Sequence, residues 1–208
     1  FSFLFFAFLL QSVAGLTLRG MVDLMSGREA SMKKSLKYFE EALKATDGQG
    51  DASVGAYMGK IFYLQREKKD YKAALDTAIQ VLGLFPNFLP ALIEKARIHL
   101  ALGDWDTALD TAQRCLGEDS TCIPAHRIVV LHSLCRVGNY PEASRKLSEL
   151  TAAIESAEPT AHELFYQCSV VATRLCGRHP LIMQQTRSML ERAISINARQ
   201  VFFFFFGI

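Results

Sequence analysis

The chain has 208 residues, long enough for a sizeable core, and its 23 basic and 21 acidic side chains leave a formal charge of +2, too small to point to nucleic acid or another polyanion. Its five cysteines, Cys115, Cys122, Cys135, Cys168 and Cys176, are odd in number and show no CxxC spacing; this argues against a disulfide framework and a zinc knuckle and predicts reduced core thiols. None of Asn87, Asn139 and Asn197 opens an N-x-[ST] sequon, so nothing points to secretory processing.

The N-terminal FSFLFFAFLLQ has the apolar run of a signal peptide without an initiating Met or basic leader, and it is too short to span a bilayer. Phe, Leu and Ser are what pyrimidine-rich codons encode, and an intron's closing pyrimidine tract with CAG would be read as such a run ending in Gln11. Gln200-Val201 is what CAG followed by an intron's opening GT would give, with Phe202 to Phe206 as read-through. Residues 1–11 are therefore expected to be a non-native or leader segment and 201–208 a non-native tail, flanking a repeat array over 12–200.

The first helical hairpin is expected near 16–46. There LTLRGMVDLMSG leads to SLKYFEEALKA, in which Ser35, Phe39 and Ala42 step by four and then three and so share one helix face. The connection within this hairpin and within the last one reads as longer than usual, and Asp47 to Ser53 reads as a polar loop between repeats. The next three hairpins are expected near 53–85, 88–118 and 123–155. KKDYKAALDTAIQVL aligns with LGDWDTALDTAQRCL and then with VGNYPEASRKLSEL, which sets Tyr71, Trp105 and Tyr140 34 and then 35 residues apart, the tetratricopeptide period.

Three residues after each aromatic stands Ala74, Ala108 or Ala143. The series Ala74-Ala78-Val81, Ala108-Ala112-Cys115 and Ala143-Leu147-Leu150 each mark one face of a second helix. First helices are expected over 55–67, 90–102 and 124–137, apolar on more than one face as helices packed between neighbours are. Gly103-Asp104 and Gly138-Asn139 suit tight turns followed by a capped helix. Lys69-Asp70 lacks glycine, which predicts a poorer fit. Pro86 ends a second helix and Pro90 launches the next repeat, while Pro141 is harmless in a first turn. A fifth hairpin near 160–197 runs from TAHELFYQCSVVATRLCG to LIMQQTRSMLERAISIN, with Thr186, Leu190 and Ala193 repeating the spacing. The fold class expected is all-α, a right-handed αα-superhelix of about five tetratricopeptide-type hairpins, with Tyr71, Trp105 and Tyr140 as its structural anchors.

The run LFPNFLPALIEKARIHLALGDWDTALDTAQRCL, with SLKYFEEALKA before it and EPTAHELFYQCSVVATRLCGR and LERAISIN after it, resembles the tetratricopeptide repeat protein 21 family over roughly Ser12 to Gln200. The Cys176 to Arg178 turn is one of the non-repeat details that carry the likeness. The resemblance implies a subunit of intraflagellar transport complex A, found in cytoplasm and cilium and acting in retrograde transport and protein delivery to cilia. Its implied partners are other complex A subunits and ciliary cargo adaptors. Family members are several times longer, so the resemblance implies that this chain would be an internal piece. No polar capping helix is recognisable at either end, so a fragment expressed alone is expected to aggregate.

Catalytic chemistry finds no constellation. His99, His126 and His132 fall in first helices, and His132 with Cys135 shares the i, i+3 spacing of two metal ligands, but no second pair completes a site. No phosphate-cradling glycine loop or nucleophile elbow occurs. Glu40 and Glu41, like Asp104, Asp106 and Asp110, are spaced as solvated helix faces. No catalytic, cofactor-binding or metal-ligating residue is expected, and no nucleic acid, small-molecule substrate or direct membrane insertion. The basic stretch Arg66, Lys68, Lys69 and Lys72 reads either as a solvated turn or as a docking patch for an acidic partner. The rival function is a co-chaperone-type adaptor clamping a peptide C-terminus, which needs Lys, Arg and Asn on groove-lining first helices. All three Asn fall in turns, so no amide is expected there. Repeat position indicates a face, not the residues that bind a partner.

Overall fold

The computed structural model describes residues 12–48 and 50–206, with side chains as far as Asn197. The expected leader over 1–11 lies outside them, as do residues 207 and 208 of the expected tail. Among the described residues are ten α-helices and no strand. They are α1 (Val13–Met25), α2 (Glu29–Ala45), α3 (Asp51–Tyr63), α4 (Tyr71–Leu84), α5 (Leu89–Ala101), α6 (Trp105–Glu118), α7 (Ile123–Leu131), α8 (Tyr140–Ala157), α9 (His162–Cys176) and α10 (Pro180–Phe206). Two wider π-helical turns, Leu64–Lys68 and His132–Val137, extend α3 and α7. Helix α10 is broken at Asn197, whose φ of −150° is not helical. The chain divides into two compact units, one ending at Asp104 and one beginning at Trp105.

In the first unit, Ser12 caps α1 by accepting from the Gly15 amide at 3.1 Å. The first connection is only Ser26 to Arg28, with Gly27 at φ +69°. The long turn expected from the sequence is absent because α2 starts at Glu29 and takes in the EASMKK stretch, helped by an exposed Glu29–Lys33 pair at i, i+4. Ser35, Phe39 and Ala42 are fully buried on one face of α2. The Phe39 ring lies against Gly20 of α1 and Gly59 of α3 so closely that a Cβ on either would overlap it. Ala74, Ala78 and Val81 of α4 form a second core with Met58 and Ile61 of α3 and Ala91 and Ile98 of α5. The small residues let the helix axes approach.

The turn at Lys69-Asp70 closes without glycine. Lys69 takes the left-handed conformation itself, at φ +51°. Asp70 donates its amide to the Leu64 carbonyl at 3.0 Å and accepts from the Ala73 amide at 3.0 Å as the N-cap of α4. Gly138 at φ +69° and Asn139, which accepts from the Glu142 amide at 3.2 Å, do the same work before α8.

In the second unit, Ala143, Leu147, Leu150 and Ile154 of α8 pack with Val130, Leu134, Phe165, Cys168, Ala172, Ile182, Met189 and Ala193. The register expected for the fifth hairpin, with Leu190 inward, is corrected: Ile182, Thr186, Met189 and Ala193 are buried and Leu190 is only half-buried. Its connection, Gly177 to His179, is also short. Because α10 starts at Pro180, Ile182 takes the place that Ala143 holds in α8. His179 then takes the place of the repeat aromatic, and its ring stacks on Tyr140 with centroids 4.2 Å apart.

Tyr71, Trp105 and Tyr140 are the first residues of α4, α6 and α8 and are half-buried. They cover the ends of the hairpins rather than fill a core. The fully buried positions are the alanines three residues on and the side chains one and two turns later, Ala78 and Val81, Ala112 and Cys115, Leu147 and Leu150.

Candidate protein-binding groove

The titratable groups singled out in the sequence serve the scaffold. His99 Nδ1 lies 3.2 Å from Asp104 Oδ2 across the turn that follows α5, and His126 Nε2 lies 2.9 Å from the Ser120 carbonyl oxygen ahead of α7. His132 is buried with Nε2 3.8 Å from Asp106 Oδ1, whereas Cys135 is exposed. The π-turn carrying both changes the angular spacing, so i and i+3 no longer share a face as an α-helix would make them. Among the described residues no three His, Cys, Asp or Glu side chains cluster as metal ligands.

The cysteines are free thiols, Cys115, Cys122 and Cys168 buried and Cys135, contrary to the expectation of core thiols, exposed. Burial, and to a smaller extent the nearby Cys122, pushes Cys115 up to about 11, and burial raises Cys168 as well. Desolvation, with Cys176 second, also raises Cys135.

The first unit carries a groove whose wall begins on α1. Leu18, Val22 and Met25, spaced i, i+4, i+7, are 66%, 61% and 76% exposed, an apolar stripe with no cover among the described residues. Met21, Leu24 and Met25 line the groove from this helix, Phe62 and Arg66 from the end of α3 and its π-turn, Tyr71 from α4 and Arg97 from α5. Met21 and Phe62 pack on the buried Leu24, Phe39 and Tyr63, which makes the floor continuous with a core and fixes its shape.

One carboxylate is built into the groove. Glu94 is 5% exposed; its Oε1 accepts from Arg97 at 2.7 Å and its Oε2 from Gln65 Nε2 at 3.1 Å. The three side chains neutralise and satisfy one another, as a buried carboxylate requires. The expectation that the first helices offer no amide is thus corrected, since Gln65 stands at the end of one. Its amide and the Arg97 guanidinium are already committed to Glu94, so neither is free for a peptide carboxylate.

Of the basic stretch, Arg66 lines the groove, and Lys68, Lys69 and Lys72 stand next in the chain, on either side of the lining residue Tyr71. Arg66, Lys68, Lys69 and Lys72 are all exposed. None of the four makes an ion pair among the described residues. Of the sequence expectations, the structure brings together Arg66 and Tyr71. Met21, Met25, Phe62 and Arg97 were not singled out in the sequence; the i, i+4, i+7 stripe on α1 was the available signal.

The second unit carries clefts of its own. An apolar one lies among Val130, Leu134, Leu147 and Cys168, and its lining is that of the core already described. Another, at the Cys176 to Arg178 turn, is lined by Arg174, Arg178, Tyr140 and His179. No helix of the described residues is long and apolar enough to cross a membrane.

Comparison with known proteins gives the following. Residues 9–109 match the model of the tetratricopeptide repeat protein 21 N-terminal ARM repeat, and residues 145–202 match that of the second ARM domain of the same protein. Tetratricopeptide repeat protein 21B of Homo sapiens is 40% identical over 91% of this chain, and that of Mus musculus 39% identical over 89%. Tetratricopeptide repeat protein 21A of Mus musculus is 36% identical over 87% of the chain. The chain spans 14% of the length of the two 21B relatives and 13% of that of the 21A relative. Among solved structures, YrrB, a tetratricopeptide protein with an unusual peptide-binding site, superposes with a TM-score of 0.53 over 89% of this chain and 84% of its own, at 20% identity. That likeness concerns the fold.

Proposed function

The chain belongs to the tetratricopeptide repeat protein 21 family, and from that premise we propose that it is a stretch of a non-enzymatic scaffold subunit of intraflagellar transport complex A. Its place would be cytoplasm and cilium, and its work retrograde intraciliary transport and delivery of proteins to cilia. Other complex A subunits and ciliary cargo adaptors would be its partners. The helical repeat fold supports an interaction scaffold, because stacked hairpins present extended surfaces that bind by shape and side-chain complementarity.

The observation that carries this reading is the groove of the first unit. It is a preformed apolar surface with a satisfied polar bottom and no constellation of nucleophile, base or metal ligands. Such a surface can hold a partner and has no group placed to transform one. The peptide-clamp alternative is disfavoured because Arg97 and the Gln65 amide, the groups a clamp would use inside the groove, are already committed to Glu94. Affinity purification of the full-length product from ciliated cells tests the proposal. Recovery of complex A subunits supports it; recovery of chaperones alone favours the clamp and contradicts it.

A further inference from the structure

We propose that the groove of the first unit, between α1, the π-turn after α3 and α5, docks a helical segment of a partner protein that carries carboxylates along the edge of an apolar stripe. The inference rests on the scaffold reading and adds the chemistry of what is held.

Shape and polarity come first. Met21, Met25, Phe62 and Tyr71 are apolar lining from three different helices, and Met25 is 76% exposed. Methionine adapts to a partner's surface, and a groove of this kind accepts the apolar face of a helix through i, i+3/i+4 and i+7 anchors. The exposed stripe of Leu18 and Val22 continues the same surface along α1.

Charge then selects the partner. Between Arg66 and Lys72 the chain places four cations against two carboxylates, Glu67 and Asp70. Asp70 is occupied in capping α4, and inside the groove Glu94 is cancelled by Arg97. The stretch is therefore net positive, four cations against two carboxylates, with none of the four cations in an ion pair among the described residues, and a docked helix bearing Glu or Asp beside its apolar face supplies the missing charge.

Backbone geometry points the same way. Arg66 sits in a π-turn, a local widening that is frequent at functional sites. Lys69 takes the left-handed conformation in which Gly103 and Gly138 stand at the corresponding turns. A side chain in that region is strained where glycine is not. The fold would be served better by glycine, and a lysine there keeps one more cation beside the groove.

The test uses the full chain and a display library of helical peptides with randomised surface positions. Enriched peptides should carry Glu or Asp next to Leu, Ile, Met or Phe at helical spacing. Their affinity should fall roughly tenfold or more for Arg66→Glu combined with Lys68→Glu, both exposed and removable without loss of core, and should weaken with added salt. Circular dichroism of the double variant checks that it folds, and Met25→Ser should weaken the same peptides without any change in charge. Enrichment of basic or neutral peptides, no enrichment at all, or equal binding by the charge-reversed chain would overturn the proposal. So would co-sedimentation with phosphatidylserine vesicles in place of peptide binding, which would assign the surface to a lipid headgroup. Neutral peptides with complex A subunits still recovered from cells would sink this inference alone. Acidic peptides without that recovery would sink the complex A reading and leave the docking chemistry standing.

Discussion

The first and fourth hairpins solve the same packing problem with opposite allocations of volume. In the fourth, the second helix α8 gives Ala143 at the close approach and larger Leu147 and Leu150 further along, and its neighbours supply Val130, Leu134 and Phe165. In the first, the second helix α2 gives the bulk, Phe39, and the neighbours retreat to Gly20 and Gly59. The period fixes where helices meet; total volume at the meeting point, not the residue at any one place, decides whether they close. A sequence pattern that demands small residues at set positions would therefore reject a sound repeat.

Removing the bulk should break this comparison most strongly. Phe39→Ala leaves two glycines facing a void and should cost about 3–5 kcal/mol, measured by chemical denaturation of the whole chain. Adding volume on the other side should hurt less: Gly59→Ala puts a methyl into the Phe39 ring and should cost about 1–3 kcal/mol. If Gly59→Ala is neutral while Phe39→Ala is severe, the ring has room to move and the allocation is looser than described. Trp105→Ala should cost only about 1–2 kcal/mol, because the indole is half-buried and roughly half of a full side-chain burial is lost. A loss as large as that of Phe39→Ala would restore the aromatics to the role of core anchors.

A smaller effect should appear with pH. Asp119 accepts from the Thr121 hydroxyl at 2.7 Å and the Thr121 amide at 2.8 Å in the turn before α7, and these bonds hold its carboxyl below the usual range. Since the folded value is depressed, the contribution is present above the ordinary aspartate range and lost as pH falls through the lowered one. The melting temperature of the wild-type chain should drop more steeply across that acid window than that of Asp119→Ala.

Much of the fold was legible because the signals are redundant. Ala74, Ala108 and Ala143 repeat at a period that only stacked hairpins require, and the series that follow them in α4, α6 and α8 are buried as read. The fifth register was misread because Thr186, Leu190 and Ala193 and the true set Ile182, Thr186, Met189 and Ala193 are both helical spacings. Only the start of α10 at Pro180 separates them. The outer turns were misread because polar stretches such as EASMKK are as acceptable in an exposed helix as in a loop. The groove was scarcely legible at all. Met25, Phe62, Arg66, Tyr71 and Arg97 come from separate elements, and no one-dimensional spacing relates residues that the stacking of hairpins brings together.

Lys69 is where fold and function are asked to disagree, so Lys69→Gly is the most direct measurement of the central claim that this turn belongs to a docking surface. Thermal unfolding and affinity for an acidic helical peptide are read on the same variant. The account predicts an unfolding free energy raised by about 1 kcal/mol through relieved left-handed strain, seen as a higher melting temperature, together with affinity weakened several-fold. A variant that is more stable and binds as tightly as the wild type would show that the turn serves the fold alone and would contradict the account.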